Sequence, residues 1–60
     1  MEPLVLDPES TAEALQVSVP YVRKMIANRE LPVIHLGRCV RVPTLELKEW
    51  IDAKVREAGI

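Results

Sequence analysis

Aromatic residues are nearly absent from this chain of 60 residues, which contains no phenylalanine and only Tyr21 and Trp50. Apolar residues nevertheless make up 48% of the sequence, too large a share for a disordered segment. We therefore expect an aliphatic core. A chain of this length forms one domain at most and buries only about 60% of its unfolded surface. The sequence thus predicts a single domain over residues 1–60, in which stability is marginal.

Cysteine and histidine are equally scarce, since Cys39 and His35 are the sole representatives. One cysteine excludes an intrachain disulfide and a zinc site built on several cysteines, and one histidine leaves no pair at metal-ligand spacing. Ser10 and Ser18 stand at helix starts, where a capping role explains them better than a nucleophilic one. The sequence contains no catalytic constellation and no glycine-rich phosphate loop. It therefore predicts no enzymatic activity, no cofactor and no metal.

Long apolar runs are also missing, which excludes a membrane-spanning helix of about 20 residues. The start of the chain lacks the basic residues and the apolar stretch of a signal peptide, because Glu2 and Pro3 follow Met1. Together with the single cysteine, these absences favour a reduced, cytoplasmic setting.

Charge is distributed unevenly, although the net charge is only −1. Residues 1–17 carry four acids and no base, whereas residues 18–43 carry one acid and five bases, a local charge of +4. The five bases are Arg23, Lys24, Arg29, Arg38 and Arg41. A basic middle between acidic ends orients a protein on an anion. A solvated surface without a partner gives the same composition, so both interpretations stay open.

Two short helices joined by a tight turn are predicted in the first half of the chain. Asp7 provides an N-cap carboxylate, and Pro8 occupies the first helical position, where its missing N–H costs nothing. The first helix is expected to end at about Leu15. A turn at residues 16–17 leads to Ser18, which caps the second helix.

The second helix, over residues 19–28, separates into an apolar and a basic face. At 100° per residue, Val22, Met25 and Ile26 lie on one face, together with the stem of Arg29. The opposite face and its flanks carry small, polar and basic residues, namely Pro20, Tyr21, Arg23, Lys24, Ala27 and Asn28. Such a face permits close approach to a groove, although basic residues are common on any exposed helix.

Two apolar runs on either side of Gly37 predict a β-hairpin. If all the alternating apolar side chains face the core, Leu36 lies opposite Val40 and Ile34 lies opposite Val42, because opposed residues point the same way. The hairpin is then the wing of the domain.

This register makes residues 37–39 the loop of the wing, with Arg38 at its tip. It puts His35 opposite Arg41 on the outer face. A two-residue turn would instead put Ile34 opposite Arg41, which the alternation of apolar side chains disfavours.

An amphipathic helix is predicted to begin at Pro43 and Thr44 and to end before Gly59 as the C′ residue. Its apolar face has helical spacing and comprises Leu47, Trp50, Ile51, Lys54, Val55 and Ala58. Its first half is expected to cover the core, whereas its last turns extend beyond the body. The complete order is helix, turn, basic helix, hairpin with a basic tip and closing helix. That order predicts an α+β winged helix-turn-helix fold.

Ordered motifs over residues 6–51 carry a resemblance to a known family. The opening helix and turn read LDPESTAEALQVS, and the further motifs are Glu30-Leu31-Pro32, Gly37-Arg38, Arg41-Val42-Pro43 and Leu47-x-x-Trp50-Ile51. At these spacings the chain resembles the excisionase-type family of small winged helix-turn-helix proteins, relatives of the MerR DNA-binding domain. It is most similar to stand-alone phage excisionases, of the mycobacteriophage kind.

Three departures from the family pattern bear on recognition. The turn glycine of the family is replaced by Gln16, which implies backbone strain at that position. Cys39 and Val40 stand where a basic and an aromatic residue are common, so this wing is less basic than most. Val19 and Pro20 replace polar or basic residues at the start of the second helix. The preferred DNA sequence therefore stays open.

The resemblance implies a recombination directionality factor that binds and bends phage attachment-site DNA and directs the phage integrase towards excision. It implies that the second helix enters the major groove of double-stranded DNA through Ser18, Pro20, Tyr21, Arg23, Lys24 and Asn28. It implies that the wing contacts the adjacent minor groove through His35, Gly37, Arg38 and Arg41. The setting is then the bacterial cytoplasm, in association with the nucleoid.

Further copies on adjacent DNA sites are expected partners, because a domain with five cations in its basic segment bends DNA weakly alone. Copies are expected to touch through the strand at residues 4–6, the wing edge or the end of the last helix. Deletion of residues 1–5 is then expected to lower the cooperativity of binding.

Two other functions stay open. A small transcriptional regulator on the same fold binds DNA without strong bending. A protein-interaction module docks its basic face on an acidic partner and never touches DNA. The acidic total charge favours the module, whereas the placement of Arg23, Lys24 and Arg38 favours DNA.

Overall fold

The fold consists of three helices and a three-stranded antiparallel sheet in the computed structural model, which describes residues 3–59. The elements follow one another as β1 (Val5–Leu6), α1 (Pro8–Leu15), α2 (Val19–Ala27), β2 (Ile34–Leu36), β3 (Cys39–Pro43) and α3 (Thr44–Glu57). This α+β architecture confirms the predicted winged helix-turn-helix fold. Met1, Glu2 and Ile60, which belong to the predicted domain of residues 1–60, lie outside the described residues.

The core is aliphatic, as the composition predicts. Its buried apolar residues come from both helices of the first half, the following loop, β3 and α3: Ala12, Val22, Met25, Leu31, Val42 and Leu47. Thr11 is buried as well, and its hydroxyl donates a hydrogen bond to the carbonyl oxygen of Asp7 at 2.8 Å. The one buried polar group named among these residues is therefore satisfied.

The helix ends confirm the predicted caps. The Asp7 carboxylate accepts a hydrogen bond from the backbone N–H of Ser10 at 2.6 Å, and the Ser18 hydroxyl accepts one from the backbone N–H of Tyr21 at 3.2 Å. Gly59 follows α3 with a φ of 73°, as a C′ residue does. Local chemistry therefore sets the starts of α1 and α2 and the end of α3 to within a residue or two.

The turn between α1 and α2 depends on a left-handed residue. Gln16 has φ 58° and ψ 44°, and the next backbone N–H, that of Val17, donates to the carbonyl oxygen of Ala12 at 3.0 Å. The strain expected from a non-glycine residue at this position is therefore present. Arg29 adopts the same φ of 58° beyond the end of α2, and its side chain is exposed. The prediction that its stem lies on the apolar face of the helix was wrong, because α2 ends at Ala27.

The sheet has the strand order β1-β3-β2. In it, Val5 pairs with Pro43 and Leu6 pairs with Val42. The backbone N–H of Thr44 donates to the carbonyl oxygen of Leu4 at 2.9 Å, which continues the pairing into α3. A strand was predicted at residues 4–6, and Val5 and Leu6 form an edge strand that pairs with β3.

The predicted register of the wing was wrong. Ile34 pairs with Arg41, His35 with Val40 and Leu36 with Cys39, so the hairpin has a two-residue turn. The reason is that β2 does not reach the core, since Ile34 is 39% exposed and Leu36 is 54% exposed. Burial therefore does not select the register, and the turn does.

The turn of the wing is formed by Gly37 and Arg38. Gly37 has a φ of 65°, and φ at Arg38 is not positive, which is the pattern of a type II′ turn with glycine at its first central position. Such turns match the right-handed twist of the flanking strands.

The last helix lies against the core with only part of its apolar face. Leu47 is buried, and Trp50 is half-buried against the core, where its indole Nε1–H donates to the carbonyl oxygen of Glu30 at 2.8 Å. Val55 is exposed, as expected for the last turns, which extend beyond the body, and Ile51 in the preceding turn is exposed as well. Within residues 3–59, no helix has both the length and the apolarity needed to cross a membrane.

Candidate nucleic-acid interface

The packing of α2 determines which of its residues face outwards. Val22 and Met25 are buried on the inner side of the helix, so the residues between them point into solvent. The predicted groove-facing residues are all exposed, namely Ser18, Pro20, Tyr21, Arg23, Lys24 and Asn28. Their exposure leaves the predicted roles in DNA contact open to experiment.

Two of these residues have polar partners within the chain. The Ser18 hydroxyl caps α2, so only its remaining hydrogen-bonding capacity is available to a ligand. Asn28 stands at the end of α2 as its C-cap residue, and its amide Nδ2 donates to a carboxylate oxygen of Glu30 at 3.3 Å. An acidic neighbour makes Asn28 the least suited of the predicted residues to approach DNA.

The observed register divides the wing residues between two faces. Val42 is fully buried, so by alternation Val40 and its partner His35 lie on the same side of the hairpin as the core. Arg41 lies on the other side, together with its partner Ile34. The prediction that His35 and Arg41 stand side by side was therefore wrong, and these two side chains face opposite ways.

Three arginines from different elements line one cleft of about 330 Å³. Arg23 comes from α2, Arg38 from the turn of the wing and Arg41 from β3. The remaining lining comes from the start of α1 and from the wing strand, and consists of Asp7, Pro8, Glu9, Cys39 and Val40. The tertiary fold thus brings together cations that are up to 18 positions apart in the sequence.

Arg41 and Asp7 are the most constrained charges of this cleft. The guanidinium Nη1 of Arg41 donates to the carbonyl oxygen of Val40 at 2.8 Å. The pKa of Asp7 lies below its ordinary value because the carboxylate accepts hydrogen bonds from the backbone and the side chain of Ser10, and the positive charge of Arg41 lowers it further. Asp7 is therefore ionised at neutral pH.

Sequence reasoning assigned Asp7 to helix capping and did not place it near the basic residues. The signal was present in part, because Asp7 directly follows the strand that pairs with β3. Without the partner of that strand, however, the sequence gives no reason to put Asp7 beside Arg41.

The other basic side chains of the middle segment are exposed and have no acidic partner within residues 3–59. This holds for Arg23, Lys24, Arg29 and Arg38. Asp7 and Glu9, at the start of α1, offset part of this charge in the cleft, and an excess of positive charge remains on the side formed by α2 and the wing. Within the same residues no cluster of metal-ligating side chains is found.

The sequence matches a known protein family. The model of a family described as a helix-turn-helix domain matches residues 5–55, which is most of the chain. No curated protein and no solved structure matches the sequence. The matched region starts at β1 and includes every element of the fold except the last two residues of α3.

Proposed function

The chain belongs to the helix-turn-helix domain family, which includes small excisionase-like DNA-binding proteins, and we propose that it is itself a phage excisionase. In this proposal it binds attachment-site DNA cooperatively, bends it and directs an integrase towards excision in the cytoplasm of a bacterial host. It breaks no bond itself. The single observation that supports DNA binding most directly is the excess of positive charge on this side of the fold, where Arg23 and Lys24 are exposed on α2 and Arg23 lines one cleft with Arg38 of the wing.

The proposed contacts follow from the shapes of the two elements. The helix α2 has nine residues and fits the major groove, which admits an α-helix. Lys24 is exposed on its outer face and contacts the bases in this proposal, with Tyr21 at the margin. The wing carries Arg38 at its tip into the adjacent minor groove, where narrow A·T-rich DNA attracts arginine.

Cooperativity in this proposal comes from contacts between neighbouring copies. Bending a site by 40–90° costs about 1–6 kcal/mol, which several small proteins share more easily than one. Leu4 and Leu45 are 89% and 66% exposed and line one shallow apolar depression, where a large apolar side chain is costly to leave in water. This patch, which we call the Leu4–Leu45 patch, is the surface that we propose for self-contact.

A sharper variant than the deletion of residues 1–5 tests the patch. Deletion would remove Val5 from β1 and the carbonyl oxygens of residues 3 and 4 that accept hydrogen bonds from Thr44, so loss of folding would imitate loss of cooperativity. Leu4→Ser keeps the backbone and removes only the exposed apolar group. We expect lower cooperativity with unchanged thermal stability, and the matched control Leu36→Ser on the wing should leave cooperativity unchanged.

The proposal as a whole is tested by gel-shift titration on phage attachment-site DNA and on scrambled DNA, with permuted fragments that report bending. Stepwise, cooperative and bend-inducing complexes on attachment DNA are the expected result. A single specific complex without bending would contradict the excisionase and support a transcriptional regulator. Absence of any complex at low salt would contradict DNA binding and leave the protein-interaction module.

A further inference from the structure

The cleft lined by Arg23, Arg38 and Arg41 gives Arg23 a surrounding that its place on α2 does not suggest. From the helix alone, Arg23 is one of the residues that enter the major groove, where it can contact bases or phosphates. In the fold, however, it lines a space bounded by the wing on one side and by the start of α1 on the other. A ligand that contacts Arg23 in this cleft therefore also meets residues of the wing.

We propose that this three-arginine cleft holds one phosphate of the DNA backbone, and that Arg23 is a phosphate ligand and not a reader of bases. The inference rests on the proposed DNA binding and specifies how that site works. Phosphates project from the outside of a duplex, whereas base edges lie recessed in the grooves. A cleft that lies between α2, the wing and the start of α1 is therefore better placed for a phosphate than for base edges.

The chemistry of the cleft fits a phosphodiester. Guanidinium groups bind phosphate oxygens through paired N–H donors and carry their charge at every physiological pH. Arg41 uses one donor of its five on the carbonyl oxygen of Val40, which fixes the guanidinium and leaves the others for a ligand. Three cations from three elements line the same cleft, and an anion bound there is attracted by each of them.

Two carboxylates in the same cleft moderate its attraction for anions. Asp7 and Glu9 reduce the formal charge of the lining from three positive charges to one. A DNA phosphate then competes with Asp7 for Arg41, which weakens binding to any backbone irrespective of sequence. Lys24, which does not line the cleft, remains to contact bases.

The test compares Arg23→Ala with Lys24→Ala in binding titrations over a range of salt concentrations, on preferred and on scrambled DNA. For Arg23→Ala we expect affinity to fall about tenfold on both sequences, as for loss of a charge-assisted hydrogen bond. The slope of log affinity against log salt should decrease by about one. For Lys24→Ala we expect the preference between the two sequences to change. Arg23→Gln, which keeps most of the side chain, should behave as Arg23→Ala does.

Removing negative charge from the cleft is expected to raise the affinity for DNA, whereas removing Arg23 is expected to lower it. Asp7→Asn keeps a good N-cap residue and removes one negative charge from the cleft, and Glu9→Gln removes the other without touching the cap. Each is expected to raise affinity several-fold on both sequences. Glu13→Gln, an equal change of charge on α1 outside the cleft, should have a smaller effect.

Three outcomes distinguish a phosphate-binding cleft from base reading by Arg23 and from absence of DNA binding. Equal losses on both sequences with a reduced salt slope support the phosphate cleft. Relaxed preference at one base position, with the salt slope unchanged, would overturn it and make Arg23 a base reader. Absence of binding by the unaltered protein, even at low salt, would overturn the proposed function and the cleft with it. Circular dichroism melts of each variant separate these results from loss of folding.

Discussion

The two halves of β3 differ in what holds their neighbours in place. The inner half pairs with β1 beside the fully buried Val42, and the core there fixes both the pairing and the side that each residue faces. The outer half pairs with β2, whose side chains are all exposed. There the backbone preference of a two-residue turn decides the register. One strand thus belongs to two regions governed by different forces.

The two regions also differ in which type of residue adopts a positive φ. At the α1–α2 turn, next to the core, packing forces Gln16 into a left-handed conformation that only glycine adopts without strain. At the tip of the wing, where packing is weak, the same region of φ is occupied by Gly37. A strong core overrides local preference, whereas an exposed hairpin obeys it.

The largest expected effect is on stability, and it is seen when a leucine is replaced by alanine in the core and on the wing. Leu47→Ala removes a side chain that is 4% exposed, and we expect it to lower the free energy of unfolding by about 2–5 kcal/mol, as buried leucines do. Such a loss is a large part of the stability of a small domain. Leu36→Ala on the wing should change it by less than about 0.5 kcal/mol. Urea denaturation measures both changes in free energy. Similar losses would contradict the difference between a core-packed region and a weakly packed wing.

A smaller effect is expected at the wing turn. Gly37→Ala meets no atom within 4 Å of the new Cβ, so its cost is the left-handed conformation alone, about 1–2 kcal/mol. We expect the hairpin to loosen or to change register, which NMR cross-strand contacts between Ile34 and Arg41 would report. Gly59→Ala, with a comparable φ and equally open space, should fray the end of α3 and leave those contacts intact.

The converse change is expected to stabilise the core-held turn. Gln16→Gly relieves about 1–2 kcal/mol of left-handed strain. It also adds about 0.4–1 kcal/mol of backbone entropy to be lost on folding. The free energy of unfolding should therefore rise by up to about 1 kcal/mol. Gln16→Ala keeps the strain and should give no gain in a thermal melt, so stabilisation by both variants would refute the explanation.

The smallest effect concerns pH. The pKa of Asp7 is lowered in the folded state from its ordinary 3.8, so its carboxylate stabilises the fold above that value. This contribution is lost as the pH falls through the lowered pKa. The stability of the unaltered protein should therefore decline more steeply below about pH 4 than that of Asp7→Asn, in thermal melts at stepped pH. Parallel curves would exclude a role for the Asp7 charge in stability.

Local signals were sufficient for the helices, because caps and turns act over a few residues. Asp7, Ser18 and Gly59 mark helix ends that the structure confirms. The partner of β1 was not predictable, because a two-residue strand joined to no hairpin carries no information about a segment nearly forty residues away. The wing register failed because apolar side chains were assumed to be buried.

The same limits apply to the candidate interface. Its basic residues were predicted from their face of α2 and from the hairpin tip. The cleft that joins Arg23 to Arg41, and the presence of Asp7 in it, depend on tertiary packing and on the strand order. No spacing along the chain encodes that proximity.

The junction between β1 and α3 has a consequence for the order of events during synthesis. Pro43, the N-cap residue of α3, supplies no side-chain hydrogen bond to the helix. The hydroxyl of Thr44 is instead bonded to the carbonyl oxygen of Pro3, 41 positions earlier. The acceptor is synthesised 41 residues before its donor. The pairing of β1 and the start of α3 therefore form together as a late step, which closes a loop of 41 positions.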